Sequence, residues 1–213
     1  MNHEEISPEM RLFSPDGQRL YLTAPERARF LDAANDEPPV KRMFCHVLHY
    51  TGCRPREALE LDYSRILIED SSIVFRCLKK RKRDNKGRIK QPQFRCVPVP
   101  RQLIENLDLV FSIRAVQAKK KQVDQLLWPT SRTSAYRIVK DVMHRANIQG
   151  AMASGKGLRH GFGIAMVTAK RPLPIHVLSK LMGHCESKTT EIYLQVMGEE
   201  QRQLVTDAWS NEG

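Results

Sequence analysis

Apolar residues recur at helical spacing over most of the chain. Thr23 and Glu26 are spaced as in a capping box, which predicts that a helix begins there. A second helix is predicted from about Val40, with Gly52 as its C-cap, and Pro55 fits the first turn of a short third helix through residue 61. The apolar residues of the first two helices share one face in each: Ala28, Leu31 and Ala34, then Val40, Met43, Phe44, Val47 and Leu48.

The spacing changes to that of strands between residues 66 and 99. Residues 66–68, 73–78 and 94–99 are rich in β-branched and aromatic side chains, as expected of strands. Between the last two lies a polar stretch with the turn signal Asn85-Lys86-Gly87. This pattern predicts a long β-hairpin that projects from a helical body.

Helical spacing returns after Pro100. A short helix is predicted from Pro174 to Met182, ending at Gly183, and a last helix from about Glu199 to Trp209. Two wider apolar faces precede them: Ala135, Tyr136, Ile138, Val139, Val142, Met143 and Ala146, then Leu158, Phe162, Ala165, Met166 and Ala169. The predicted fold class is therefore mainly α with a small antiparallel β-sheet or hairpin (α+β).

The charge of the chain is concentrated in one segment. Lys and Arg number 35 and Asp and Glu 24, which gives a net charge of +11 in 213 residues. Residues 76–101 contain eleven basic residues and one acid, so this segment alone carries +10. Such a block is typical of a surface that binds a polyanion, although a solvated basic loop is the alternative.

Composition restricts the class of protein further. Hydrophobic residues make up 41% of the chain and charged residues 28%, as in ordinary globular proteins. No apolar run approaches the roughly 18 residues of a membrane span, and the first residues lack the pattern of a signal peptide. Five widely spaced cysteines without a C-x-x-C pair favour reduced thiols over a structural zinc site. We therefore expect a cytoplasmic location and no association with membranes.

Three segments place polar residues at the ends of predicted elements, where a site can be assembled. They are Thr51–Leu59, Lys156–Gly163, and Leu181–His184 followed by Thr189–Tyr193. Each has a structural alternative when taken alone. Arg54 could be a surface arginine, Arg159 and His160 could cap a helix, His184 could follow a C-cap glycine, and Tyr193 could be a half-buried core residue.

Taken together, the three segments resemble the motifs of the tyrosine recombinases, the phage integrase family. The first family motif reads T-G-x-R-x-x-E-L/A-L, and Thr51–Leu59 matches it. The second, H-x-L-R-H-x-F/x-A/G, matches Leu158–Gly163 except at its first position. The third, L-G-H followed by T-T-x-x-Y, is represented by Met182–His184 and Thr189–Tyr193. The resemblance extends over about residues 20–210.

The resemblance implies a role for each matching residue. Arg54 and Arg159 would bind the scissile phosphate of DNA, His184 would support the site by hydrogen bonding, and Tyr193 would be the nucleophile. The family's catalytic lysine lies on a β-hairpin after the first motif, a place that corresponds here to Lys79, with Lys80 in reserve. The basic residues Lys80, Arg81, Lys82 and Arg83 are candidates for contacts with DNA. Neither a metal nor a cofactor is implied.

This sequence departs from the family pattern in two respects. Lys156 stands where the second motif begins with a histidine, and lysine can also donate to a phosphate and, if its pKa falls, exchange protons. Only some twenty residues precede the first helix, whereas family members usually carry an N-terminal helical DNA-binding domain. The chain is either a short single-domain recombinase or a catalytic fragment. We divide it into an N-terminal extension (1–22), a catalytic domain (23–198) and a C-terminal helix with its tail (199–213).

The predicted function is site-specific recombination of double-stranded DNA through a 3′-phosphotyrosine at Tyr193. The resemblance implies a homotetramer on paired sites, formed from protomers that are monomeric off DNA, with an accessory DNA-bending protein as a further potential partner. The apolar face of Leu204, Val205, Ala208 and Trp209 would dock on a neighbouring protomer or on its own core.

Other functions remain as alternatives. The main one is a catalytically inactive DNA-binding accessory protein of the same fold, and a type IB topoisomerase would share the chemistry. A metal-dependent nuclease using His160, His176 and His184 is disfavoured because no acidic cluster accompanies these histidines.

Overall fold

The computed structural model describes residues 11–78, 91–184 and 188–195, together with Val205, Thr206 and Trp209. The α-helices in this part of the chain are α1 (Ala24–Asn35), α2 (Pro39–Thr51), α3 (Pro55–Leu59), α4 (Arg101–Phe111), α5 (Ile113–Lys119), α6 (Arg132–Arg145), α7 (Gly155–Val167), α8 (Ile175–Met182) and α9 (Lys188–Glu191). Short 3₁₀ helices cover Tyr63–Arg65 and Ile192–Gln195. Among these elements, no helix combines the length and the apolar character needed to span a bilayer.

The β-strands form one small antiparallel sheet. Strands β1 (Ile66–Leu67), β2 (Ser72–Arg76) and β3 (Phe94–Pro98) lie in that order, and Phe75 pairs with Arg95. One further hydrogen bond, from Cys77 N to Gln93 O (2.8 Å), continues the pairing of β2 and β3. The predicted antiparallel sheet is confirmed. Residues 79–90, which contain most of the basic block and the predicted turn, lie outside the described residues.

Local sequence signals explain where the first helices begin and end. The predicted capping box is present, because Glu26 N donates to Thr23 Oγ1 (3.4 Å) and Thr23 N donates to Glu26 Oε2 (2.8 Å). Gly52 ends α2 in the left-handed conformation (φ 57°). A Cβ at this position would lie 2.4 Å from the ring of Phe162, so the end of α2 can approach α7 only through glycine.

Three positions predicted to lie on apolar faces are wrong, because Ala28 on α1, Val40 on α2 and Tyr136 on α6 are exposed. Val40 is 46% exposed in the first turn of α2, and only its carbonyl is engaged, by a hydrogen bond from the Trp128 indole (2.8 Å). Tyr136 is 55% exposed because it follows Ala135 by one residue and so lies about 100° around α6 from that buried position. There Lys140 Nζ lies 5.8 Å from the centre of the tyrosine ring.

The buried apolar residues form two clusters. The larger one joins α1 and α2 to the sheet, α4 and α6. The smaller one contains Tyr193 and lies between α7, α8 and the N-terminal residues that precede α1: its members are Leu12, Tyr21, Phe162, Ile164, Leu178, Met182, Ile192 and Tyr193. Residues 12 and 21 of the predicted N-terminal extension therefore pack directly on the part of the body that holds Tyr193.

Candidate active site

Arg54 lies at the junction of α2 and α3. It is the N-cap residue of α3, and its side chain is 21% exposed. Glu57, in the first turn of α3, accepts hydrogen bonds from Arg54 N (2.9 Å) and from Arg54 Nη1 (3.2 Å). The Glu57 side chain is itself completely buried. A buried carboxylate thus holds both the backbone and the guanidinium of Arg54.

A second arginine, Arg95 on β3, completes the environment of Glu57. Its Nη2 and Nη1 donate to the two carboxylate oxygens of Glu57, at 2.6 and 3.1 Å, and its Nε donates to Leu181 O (2.7 Å). Burial alone would raise the pKa of the Glu57 carboxyl. The hydrogen bonds and charge of Arg95, followed by the charge of Arg159, instead hold that pKa below its ordinary value.

Arg159 lies on α7 and is almost fully buried. Its Nη1 donates to Gly52 O and its Nη2 to Met182 O, each at 2.7 Å. Burial, and next the charge of Arg54, lower the pKa of Arg159 to about 10, which still leaves the guanidinium charged at neutral pH. This side chain therefore connects the C-terminal ends of α2 and α8 and holds a positive charge between them.

His184 follows Gly183, which ends α8 in the left-handed conformation (φ 66°). Its Nδ1 lies 2.7 Å from Thr190 Oγ1, and its buried Nε2 has no hydrogen-bond partner among the described residues. Burial, followed by the charges of Arg159 and Arg54, lowers the pKa of His184 to about 3. The imidazole is therefore neutral at physiological pH.

Tyr193 is completely buried in the second apolar cluster. Its hydroxyl lies 3.1 Å from Nδ1 of His160, and its ring stacks on that of His184 with the ring centres 6.4 Å apart. Gly163 leaves room for the ring, since a Cβ there would lie 2.5 Å from Cζ of Tyr193. Burial raises the pKa of Tyr193 to about 12 against the opposing charges of Arg159 and Arg54, so the phenol is protonated.

Four of the residues singled out from the sequence converge in this structure: Arg54, Arg159, His184 and Tyr193. Lys156 is exposed in the first turn of α7, and its positive charge contributes, after burial, to lowering the pKa of His160 to about 3. Lys79 and the candidate DNA contacts Lys80, Arg81, Lys82 and Arg83 lie outside the described residues.

The sequence analysis missed several residues of this arrangement. Glu57 and Thr190 belong to the matched motifs but were given no role, and His160 was considered only as a helix cap or as a metal ligand. Arg95 was counted only as one more cation of the basic block, although it sits where alternation along β3 places side chains inward: residues 95 and 97 are buried, whereas 94, 96 and 98 are exposed. That alternation was the one available sign that Arg95 faces the core. Within the described ranges, no three His, Cys, Asp or Glu side chains form a group that could hold a metal ion.

Known proteins share both the sequence pattern and the fold. The model of the phage integrase family matches residues 21–200. Tyrosine recombinase XerD of Staphylococcus haemolyticus is 25% identical over 169 residues, which cover 76% of this chain and 52% of XerD. The chain therefore spans about half the length of this curated relative.

Solved structures agree with the predicted fold class. A XerA recombinase has a TM-score of 0.68 at 22% identity, with 91% of this chain and 66% of that one covered. The Tn1549 transposon integrase, in complex with transposon right end DNA, has a TM-score of 0.60 at 14% identity, with 89% and 66% covered. The motifs, the fold and the family model agree, and the chain belongs to the phage integrase family, the family of the tyrosine recombinases.

Proposed function

We propose that this protein is a site-specific DNA recombinase that cleaves and rejoins strands through a covalent 3′-phosphotyrosine at Tyr193. The observation that carries this proposal is the convergence of two arginines and a neutral histidine on one buried tyrosine. Arg159 and Arg54 both lower the pKa of Tyr193 against the effect of burial, so their charges act on its oxygen. This is the charge distribution that a phenolate attacking a phosphodiester requires.

Arg54 and Arg159 would bind the non-bridging oxygens of the scissile phosphate. Guanidinium groups match such oxygens bidentately and stay charged at working pH. In the described part of the chain, the hydrogen bonds of Arg159 to Gly52 O and Met182 O use two of its five N–H donors. These two bonds orient the guanidinium in advance, which supports transition-state stabilisation without reorganisation.

The strand-transfer step forms one bond and breaks another. The Tyr193 oxygen attacks phosphorus and the bond from phosphorus to the 5′ oxygen breaks, which leaves a 3′-phosphotyrosine and a free 5′-hydroxyl. We assign the Nε2–H tautomer to neutral His160, so that Nδ1 accepts the hydrogen bond from Tyr193. Because burial holds the pKa of His160 at about 3 here, His160 would take the proton of Tyr193 only after the site opens to water. Because Tyr193 is fully buried here, the substrate phosphate can reach it only after the surrounding segments move.

The departing 5′ oxygen needs a proton, and Lys79 is our candidate for the general acid, with Lys80 in reserve. Lys156 and His184 would donate hydrogen bonds that stabilise the transition state. The phosphotyrosine retains the energy of the phosphodiester, so rejoining by a 5′-hydroxyl needs no external energy source.

The partners follow from the same proposal. The substrate would be double-stranded DNA, contacted in part by residues 80–83, and recombination of two duplexes would require a homotetramer assembled from monomers on paired sites. An accessory DNA-bending protein would assist assembly, and the reaction would take place in the cytoplasm. The Tn1549 transposon integrase, which has this fold, was solved in complex with DNA.

Covalent capture from a pool of DNA sequences tests the proposal and selects the target site in the same experiment. The protein would be incubated with nicked duplexes that carry a randomised segment around the nick, so that the strand end released by cleavage diffuses away. Adducts that survive denaturation would then be recovered and sequenced. We expect a defined sequence to be enriched, with the label attached to Tyr193 in peptide mapping.

Tyr193→Phe is the matched control, because it removes one oxygen and keeps the ring that packs against Gly163. It should abolish the adduct while leaving retention of the enriched DNA nearly unchanged. Retention of a defined DNA sequence without any adduct in the unmodified protein would favour the inactive DNA-binding alternative. An adduct that persists in Tyr193→Phe would assign the nucleophile elsewhere.

A further inference from the structure

Glu57 is a buried carboxylate shared by two arginines that contact it unequally. Arg95 donates to both of its oxygens at 2.6 and 3.1 Å, whereas the Arg54 side chain makes one contact at 3.2 Å. The Arg95 side chain is 6% exposed and that of Arg54 is 21% exposed. The shorter bidentate geometry and the deeper burial both make Arg95 the dominant counter-ion of Glu57.

The unequal contacts matter because a buried carboxylate that lacks its main counter-ion attracts the nearest other cation. With Arg95 present, the single charge of Glu57 is already neutralised, and Arg54 is held mainly through its backbone N–H (2.9 Å). Without Arg95, Arg54 would be the nearest cation, and its guanidinium would turn toward both carboxylate oxygens. It would then no longer be available to an external anion.

Arg95 also connects this charge pair to the other side of the candidate site. Its Nε donates to Leu181 O, two residues before Gly183, and a Cβ at Gly183 would lie 2.9 Å from Nη1 of Arg95. The guanidinium therefore packs under the turn that presents His184. The guanidinium of Arg95 also lies over the ring of Phe75, with 5.1 Å between the guanidinium carbon and the ring centre.

We propose that Arg95 is a positioning residue that neutralises Glu57 and so leaves the Arg54 guanidinium free to bind a phosphate. This role rests on the proposed function of Arg54, and it concerns binding of the anion rather than the chemical step. Arg95 itself, buried behind Glu57, does not touch the phosphate.

Titration with inorganic phosphate tests this role without DNA, by NMR of the arginine Nε–H groups at constant ionic strength. Arg95→Met should weaken phosphate binding about tenfold, the usual effect of losing a charge-assisted contact. Arg95→Met/Glu57→Gln removes the unpaired carboxylate as well and should restore binding to within about threefold of the unmodified protein. If Arg95 had a purely structural role, adding Glu57→Gln to Arg95→Met would not restore phosphate binding.

Two control variants and one fallback keep the test decisive. Arg54→Leu should abolish the phosphate response in every background, and a response that survives would overturn the proposal. Arg114→Met removes an arginine that pairs with Glu105 and Asp108 on the exposed surface of α4 and α5, and it should change nothing. If Arg95→Met fails to fold, the double variant decides alone, because it contains no buried carboxylate that has lost its main counter-ion.

A double variant that binds phosphate no better than Arg95→Met, or more than about tenfold weaker than the unmodified protein, would overturn the proposal. This failure is distinguishable from failure of the proposed function. Normal adduct formation with no rescue would reject only the role of Arg95. Rescue of phosphate binding in a protein that never forms an adduct would support the role of Arg95 and reject strand transfer.

Discussion

The hydroxyl of Tyr193 lies 3.1 Å from Nδ1 of His160, and both side chains are almost completely buried. Burial raises the pKa of the tyrosine to about 12 and lowers that of the histidine to about 3. Both groups are therefore neutral, and each is the other's polar partner. The structure thus shows the candidate nucleophile in a protonated, shielded arrangement.

The first prediction concerns this pair. His160→Leu should leave the Tyr193 hydroxyl buried without a partner, at a cost of about 1–3 kcal/mol in free energy of unfolding. Adding Tyr193→Phe should recover about 1 kcal/mol, since the lone hydroxyl is then removed too. Urea unfolding of the four proteins measures this coupling. In the control cycle, Tyr63→Phe takes the place of Tyr193→Phe, and its effect should add to that of His160→Leu. If the effects of His160→Leu and Tyr193→Phe were also additive, the hydrogen bond between the two residues would be contradicted.

The second prediction concerns Gly163. Gly163→Ala should displace the Tyr193 ring, because the new Cβ would lie 2.5 Å from Cζ, and overpacking of this kind costs about 1–3 kcal/mol. Tyr193→Phe should not relieve the cost, since it keeps the ring. Tyr193→Leu should relieve most of it, as thermal unfolding would show. Equal destabilisation by Gly163→Ala in the Tyr193→Leu and Tyr193→Phe backgrounds would mean that the ring is not the obstacle.

The third prediction concerns acid stability. Burial, followed mainly by positive charges nearby, lowers the pKa of His160 and of His184 from 6.5 to about 3. The unfolded chain therefore takes up protons on these residues at higher pH than the folded one does. Their contribution to stability is complete above pH 6.5 and is lost as the pH falls toward 3, by up to about 1.4 kcal/mol per pH unit for each histidine.

Denaturant unfolding at pH 7, 6 and 5 measures this loss. His184→Gln should flatten the pH dependence in that window, while His176→Gln, which changes an exposed histidine of α8, should not. An unchanged slope in His184→Gln would show that His184 is not buried in its neutral form. Glu57 and Glu26, whose pKa values are lowered, act in a separate window below about pH 4.5, where the unfolded carboxyls begin to protonate.

The fourth prediction concerns the basic block. If residues 80–83 contact DNA, the logarithm of the binding constant should fall steeply with the logarithm of salt concentration, by about 0.9 for each phosphate neutralised. Replacing Arg81, Lys82 and Arg83 with Ala should flatten this slope. Replacing Lys119, Lys120 and Lys121 with Ala removes the same number of positive charges and is the control. Equal slopes for the two triple variants would show that only net charge matters.

The fifth prediction concerns the C-terminal residues. Trp209 is 72% exposed and Val205 is 51% exposed, which fits docking on a neighbouring protomer better than packing in their own core. Trp209→Ala should therefore change the free energy of unfolding of the monomer by less than about 0.5 kcal/mol. It should nevertheless weaken assembly on paired DNA sites, measured by analytical ultracentrifugation. A clear loss of monomer stability would place Trp209 in its own core.

The sequence alone predicted α1, α2, α3, α8 and the antiparallel sheet, and it gave the order of the candidate residues, but it did not separate α4 from α5. A capping box at Thr23, a C-cap at Gly52 and the change of apolar spacing near residue 66 are local signals, because each depends on neighbours within a few positions. The three motifs were sufficient to identify the family. The exposure of individual side chains was less predictable. Tyr136 was predicted to lie on the apolar face of α6 but is exposed, because its burial depends on which other elements pack against that side of the helix.

Only the tertiary structure decided how the candidate residues are held. Arg95 and Glu57 are 38 positions apart, and Arg159 reaches the carbonyl of Gly52 across 107 positions. No local pattern encodes such pairings, because they arise when β3, α3 and α7 pack together. The same packing buries Tyr193 and shifts its pKa, since burial depends on every element that covers the ring. The sequence thus identified the chemical groups, while the fold set their charge states and their partners.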